Sequence, residues 1–219
     1  MTSGALARWG GPAGVVGGLL WASYGVFEML EPWGVDTVYR DDVGYALVTD
    51  TSLFVAYSLP GSLALLLTAL GLLGVLARLG LLGVLARLGL PAARTGRIGR
   101  LLAYVALALG ALSLVGVVVA FDPLFTAGRI FGTLALGAAT VVAGRAARGA
   151  GAPPGWVAAL LLLGLLGLFL LPLWPLVYAV QLLPAGAGAA CIALFGLGWV
   201  ALGPALWSGR GASPAVASR

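Results

Sequence analysis

The chain has 219 residues, of which 61% are hydrophobic and 9% charged, with a mean hydropathy of +1.09. A soluble domain carries roughly a quarter of its residues as charged side chains, so this composition excludes a water-faced globule and implies an all-α integral membrane protein. A net charge of +5 would suggest nucleic acid as the partner of a soluble chain; here the lipid bilayer is the expected partner, no nucleic acid is expected, and the placement of the charges carries the meaning.

Hydrophobic runs near the ~20 residues that cross a hydrocarbon core predict a six-transmembrane-helix bundle. The first span, 11–30, follows Arg8 and could pass for a secretory signal, but its length, its Trp21, Tyr24 and Glu28, and the lack of a small-x-small cleavage site mark it as retained. Glu31 to Asp50 is the sizeable outer segment, long enough for a short lid or an interfacial turn and too short for a domain. The second span, 52–77, should bend at Pro60. Residues 70–78 and 79–87 then repeat LGLLGVLAR identically. Nine residues turn a helix by about two and a half turns, so the copies present opposite faces, and a tandem duplication that lengthens the helix or lies flat at the interface is the plain reading. Deleting 79–87 is then expected to leave insertion and folding intact, as a detergent-stability assay would show.

The third and fourth spans, 101–121 and 124–143, are joined almost directly at Asp122-Pro123, which predicts a tight helical hairpin. Pro172 and Pro175 should kink the fifth span, 156–180, and the sixth runs over 187–207. Residues 1–207 thus form a single polytopic membrane domain, and the tail 208–219 is expected to be disordered.

Arg8, Arg78, Arg87, Arg94, Arg97, Arg100, Arg145, Arg148, Arg210 and Arg219 all fall on one side of these spans, which makes that side cytoplasmic and puts both termini there. Every acidic residue lies at the opposite ends. Trp9, Trp156 and Trp207 fit an inner aromatic belt, and Trp33, Trp174 and Tyr178 an outer one. The expected location is the cytoplasmic (inner) membrane, multi-pass. Arg78, Arg87, Arg94, Arg97 and Arg100 could touch anionic lipid headgroups.

Histidine and lysine are absent and Cys191 is the single cysteine. Imidazole bases, His-ligated metals, lysine Schiff bases and disulfides are therefore unavailable within the chain, and no metal, cofactor or catalytic residue is expected. Asp41-Asp42 could hold a cation only if two adjacent carboxylates turned together. No hydrolase or transferase motif is present, so the chain does not read as an enzyme.

One constellation stands out. Gly10, Gly14, Gly17, Trp21, Tyr24 and Glu28 step by four and three along one stripe of the first span. Bare glycine at the cytoplasmic half lets another backbone approach, within the chain or from a second copy in a homo-oligomer. The fourth span carries Thr126, Arg129, Thr133 and Thr140 on a similar stripe, with Arg129 about 7.5 Å below its outer end. Glu28 lies at matched depth, so the two are expected partners, with Asp122 as local competitor and Ser58 and Ser62 as polar neighbours on the second span. Three readings remain open: a structural ion pair, snorkelling of both groups to the outer interface, or a candidate intramembrane polar site for substrate, ion or proton built from Glu28, Arg129, Tyr24, Trp21 and Thr133. The start, Gly10-Gly11 followed by Trp21 and Tyr24, and the Arg-rich inner loops resemble small bacterial integral membrane proteins in general. A structural or interaction role in the membrane is the leading expectation, and a small-solute or ion transporter with an outward-facing site around Glu28 and Arg129 is the alternative.

Overall fold

The computed structural model describes residues 3–30, 36–81, 92–169 and 185–207. They form six helices and one β-hairpin in the order α1 (Ser3–Leu30), β1 (Thr37–Arg40), β2 (Tyr45–Val48), α2 (Thr51–Leu81), α3 (Ala92–Val118), α4 (Asp122–Gly149), α5 (Pro154–Phe169) and α6 (Ala185–Trp207). α1 to α4 each contain a stretch long and apolar enough to cross a membrane, and α5 and α6 contribute shorter apolar stretches over Pro154–Phe169 and Gly188–Pro204.

Neighbouring helices run antiparallel, because early residues of one meet late residues of the next. Gly10 approaches Gly74 while Tyr24 lies against Gly61; Gly99 meets Val142 while Gly128 meets Ser113; Gly137 approaches Gly164. α1 sits between α2 and α6, α4 between α3 and α5, and α2 touches α3 and α4. Buried Leu65, Leu72, Leu136, Leu160, Phe195 and Trp199 fill the middle. Between α5 and α6 the ring is loosest, and an apolar groove of ≈ 530 Å³ lined by Trp156, Leu162, Leu166, Gly198 and Leu202 opens there.

Helix ends follow local chemistry and shift several expected boundaries. α3 stops at Val118 rather than continuing to 121, because Phe121 N–H bonds the Gly116 carbonyl at 2.8 Å and Ala120 N–H the Val117 carbonyl at 3.1 Å. This pair of bonds closes a Schellman turn with Ala120 at the left-handed position, φ 50°. α4 ends in the same way, Ala152 N–H on Ala147 O and Gly151 N–H on Arg148 O, with Gly151 at φ 72°. Only one of the two turns has the residue that this geometry favours. Ala120→Gly should therefore raise stability in detergent by about 1 kcal/mol and Gly151→Ala lower it by a similar amount; equal responses at the two sites would contradict this account.

Within the segment expected as a lid or turn, residues 37–48 form a β-hairpin. Thr37 pairs with Val48 and Arg40 with Tyr45 around an Asp41–Gly44 turn in which Gly44 takes φ 74°. α1 and α3 begin before their expected spans and α4 outlasts its own, while α2 runs unbroken through Pro60 to Leu81, so the first repeat copy and the start of the second are one helix. Residues 82–87 of the repeat, the bends expected at Pro172 and Pro175, the belt positions Trp33, Trp174 and Tyr178, and the tail 208–219 lie outside the described residues.

Candidate functional site

The glycines of the α1 stripe face α2 and α6. A Cβ on Gly10 would lie 2.6 Å from the Gly74 Cα, one on Gly71 would lie 2.9 Å from the Gly14 Cα, and one on Gly17 would lie 2.8 Å from the Thr68 nitrogen. Trp199 of α6 covers the other side of Gly14 at 3.6 Å. Backbone therefore packs on backbone over this half of the α1–α2 contact, a geometry open to glycine alone.

Above the glycines the stripe turns aromatic. The Trp21 indole N–H donates to Thr68 Oγ1 at 3.3 Å, and the Thr68 hydroxyl donates to its own helix at Ala64 O, 2.7 Å. Trp21 meets Tyr24 and Phe195 edge to face, and Tyr24 meets Tyr57 in the same way. Two turns above Trp21, Glu28 is buried at 5% exposure and Arg129 of α4 at 7%. The structure brings this pair together: Arg129 Nη1 stands 3.6 Å from Glu28 Oε1. That separation is an ion pair without a direct hydrogen bond. The Arg129 guanidinium carbon also lies 5.2 Å from the Tyr24 ring centre and 5.0 Å from that of Phe125, a cation held between two π faces.

Thr133 belongs to the same helix face, and its hydroxyl donates to the Arg129 carbonyl at 2.7 Å. Asp122, the expected competitor for Arg129, instead accepts the Thr126 hydroxyl at 3.1 Å. Ser62 bonds Ser113 of α3 at 2.8 Å, and Ser58 is buried nearby on α2. Glu28 Oε1 and the Tyr24 hydroxyl are buried with no hydrogen-bond partner among the described residues.

Three site residues escaped the sequence reading. Tyr57 hydrogen-bonds the Glu28 carboxylate, and its place near the hairpin end of α2 is the signal that could have found it. Phe125 lies one turn from Arg129, a spacing that places it beside the guanidinium. Asp36 is the third. It stands at the foot of the hairpin, buried, with its carbonyl accepting Thr49 N–H at 2.8 Å and the Thr49 hydroxyl at 3.0 Å. Burial pushes the Asp36 carboxyl above its ordinary range, and nearby Asp50 adds to the shift.

At the hairpin tip, Arg40 makes two hydrogen bonds to Asp42, at 2.8 and 2.7 Å, and holds that carboxyl below the usual range. Asp42 is thereby engaged by Arg40. Among the described residues no group of three or more His, Cys, Asp or Glu side chains is arranged to hold a metal ion. At the far end of the bundle Arg8, Arg97, Arg100, Arg145 and Arg148 are exposed. Comparison with protein-family models, curated proteins and solved structures finds no match for the chain.

Proposed function

We propose that this is a six-span protein of the cytoplasmic membrane, both termini cytoplasmic, with a structural or interaction role and no catalytic one. Support for the orientation comes from the separation of charge: exposed Arg8, Arg97, Arg100, Arg145 and Arg148 gather at one end of the bundle, and Glu28, Asp36 and Asp122 lie at the other, where exposed Arg40 is paired with Asp42. Arg78, Arg97 and Arg100 would then meet anionic headgroups of the inner leaflet.

The observation that carries the reading is the sealed cytoplasmic half. Gly10, Gly14 and Gly17 close against Gly74, Gly71 and Thr68 at backbone distance. The buried hydroxyls in the middle of the bundle, Thr68 and Thr140, donate to Ala64 O and Leu136 O of their own helices, both at 2.7 Å. Among the described residues this path offers a polar solute little room, and its one buried donor without a hydrogen bond is the Trp199 indole N–H. Glu28 and Arg129 then pin α1 to α4 at the hairpin end, much as a buried polar pair fixes the register of packed helices.

The carrier reading draws on a different observation, the buried Glu28 Oε1 and Tyr24 hydroxyl, which receive or make no hydrogen bond among the described residues. Cysteine accessibility separates the two. In a Cys191→Ala background, single cysteines at Thr126, Thr133, Leu136 and Thr140 are offered a membrane-impermeant thiol reagent on intact cells. Labelling should stop at Thr126. Modification of Thr133 or Leu136 from outside would reveal a water-filled path along α4 and replace the structural reading with the carrier.

A further inference from the structure

The apolar groove between α5 and α6 has a defined depth and a closed end. Its wall on α5 runs from Gly155 and Trp156 at the start of the helix to Leu166, and its wall on α6 runs from Leu202 and Ala201 back to Gly198. From Gly155 to Leu166 is about 16 Å of helix, close to half of the ~30 Å hydrocarbon core. The groove therefore covers the depth of one leaflet, beginning at the arginine end of the bundle. Toward the bilayer centre it closes, because Leu163 packs onto Gly198 and the Phe195 ring reaches α5 at Gly167, where an added Cβ would lie 3.4 Å away.

The surroundings of its mouth carry one sign of charge. Arg145 and Arg148 are exposed on the last turns of α4, and the Arg148 carbonyl accepts Gly151 N–H in the turn that leads into α5. On the α6 side, Arg8 is exposed on α1 about one turn before Gly11, whose carbonyl meets Gly203 of α6. α5 itself starts at Pro154, so the positive end of its dipole opens at the same level, and Trp156 brings an indole N–H there. Among the described residues every acid lies at the opposite end of the bundle.

An occupant that fits is apolar over one leaflet's depth and anionic at one end. A partner helix would run on into the other leaflet, but the groove stops at Phe195. A volume of ≈ 530 Å³ is that of a small-ligand site.

We infer that the groove binds an acyl chain of one anionic phospholipid, with the headgroup at the start of α5 in the field of Arg8, Arg145 and Arg148. The chain completes the ring of helices at its loosest contact, so the lipid acts as a structural part of the bundle. The inference rests on the proposed membrane embedding and takes its leaflet from the proposed orientation.

Native mass spectrometry tests it on the full chain released from nanodiscs of phosphatidylglycerol and phosphatidylcholine in equal amounts. One phosphatidylglycerol should stay bound at collision energies that strip the other lipids, and should outnumber retained phosphatidylcholine several-fold. Ala201→Trp, which puts a ring into the groove from an exposed position, should lower this retention several-fold. Leu112→Trp on the exposed face of α3 should leave it as in the parent. Replacing Arg145 and Arg148 together by Gln should erase the preference for phosphatidylglycerol. No retained lipid in the parent, equal retention of the two lipids, a double arginine variant that keeps the preference, or an Ala201→Trp protein that holds lipid as the parent does would each overturn the inference. If Ala201→Trp does not fold, a phosphatidylglycerol with a photoreactive diazirine on its chain decides on the unaltered protein. Adducts should concentrate on the groove-lining stretches of α5 and α6; an even spread over all the helices would overturn the inference. A reversed orientation, or thiol labelling of Thr133 or Leu136 in favour of a carrier, would leave each of these results unchanged, so failure here and failure of the functional reading are told apart.

Discussion

Arg129→Gln should cost the folded protein about 3–5 kcal/mol, the loss expected when one member of a buried ion pair is removed and the other is left without compensation. Among the described residues Glu28 has Tyr57 besides Arg129, and the other charge that acts on it is the acid Asp36. The loss also includes the packing of the guanidinium between Tyr24 and Phe125. Glu28→Gln should destabilise as well, leaving Arg129 without its carboxylate. The double variant should fall short of the sum by at least about 1 kcal/mol, because each single change already removes the shared interaction. Unfolding in mixed micelles, followed by tryptophan fluorescence at about pH 8 so that solvated carboxyls are ionised, measures all three. Losses that add to within about 0.5 kcal/mol would mean that the pair contributes no coupling despite its proximity.

Gly74→Val should be comparably damaging for a different reason. A Cβ there falls 2.7 Å from the Leu6 carbonyl oxygen and 3.1 Å from the Gly10 nitrogen. Both neighbours are backbone, so no side chain can rotate away, and α1 and α2 must separate along their glycine contact. Overpacking of this kind costs about 3 kcal/mol or more where nothing can yield. Gly96→Ala in α3 provides the contrast, since nothing lies within 4 Å of the added methyl. That change should be neutral or stabilising by up to about 1 kcal/mol, as alanine suits a helix better than glycine. A tolerated Gly74→Val would show that the α1–α2 contact is not close-packed in the membrane.

Much of this architecture can be read from residue order, and the parts that cannot have physical reasons. Charge in an apolar span has few places to go, and helix rise fixes its depth, so the matched depths of Glu28 and Arg129 are visible in the chain. Which way each helix is turned about its axis is not, and Tyr57 enters the site through that rotation. Asp36 depends on the hairpin, whose short strands are held by pairing to each other and by the Tyr45–Phe121 ring contact with the end of α3, at 5.5 Å. Local sequence shows a turn there but not what it covers.

A second small-residue stripe was legible and went unread. Gly11, Gly18 and Gly25 recur every seventh position on α1, as do Ala189, Gly196 and Gly203 on α6. The two series meet in antiparallel order: Gly25 against Ala189, Gly18 against Gly196, and Gly203 against the Gly11 carbonyl. A seven-residue period in each partner is the mark of helices crossing at a shallow angle.

That seam joins α1 to α6, two helices far apart in the chain. During synthesis α1 can settle on α2 as soon as α2 leaves the ribosome, but its Gly11–Gly18–Gly25 flank has no partner until α6 emerges. Until then that flank of α1 is nearly bare backbone, and lipid tails fill its shallow groove less well than a matched helix does. Assembly therefore includes a ring closure that waits for α6. A chain that has made α1 but not α6 leaves uncovered the Gly11–Gly18–Gly25 face that α6 otherwise packs against.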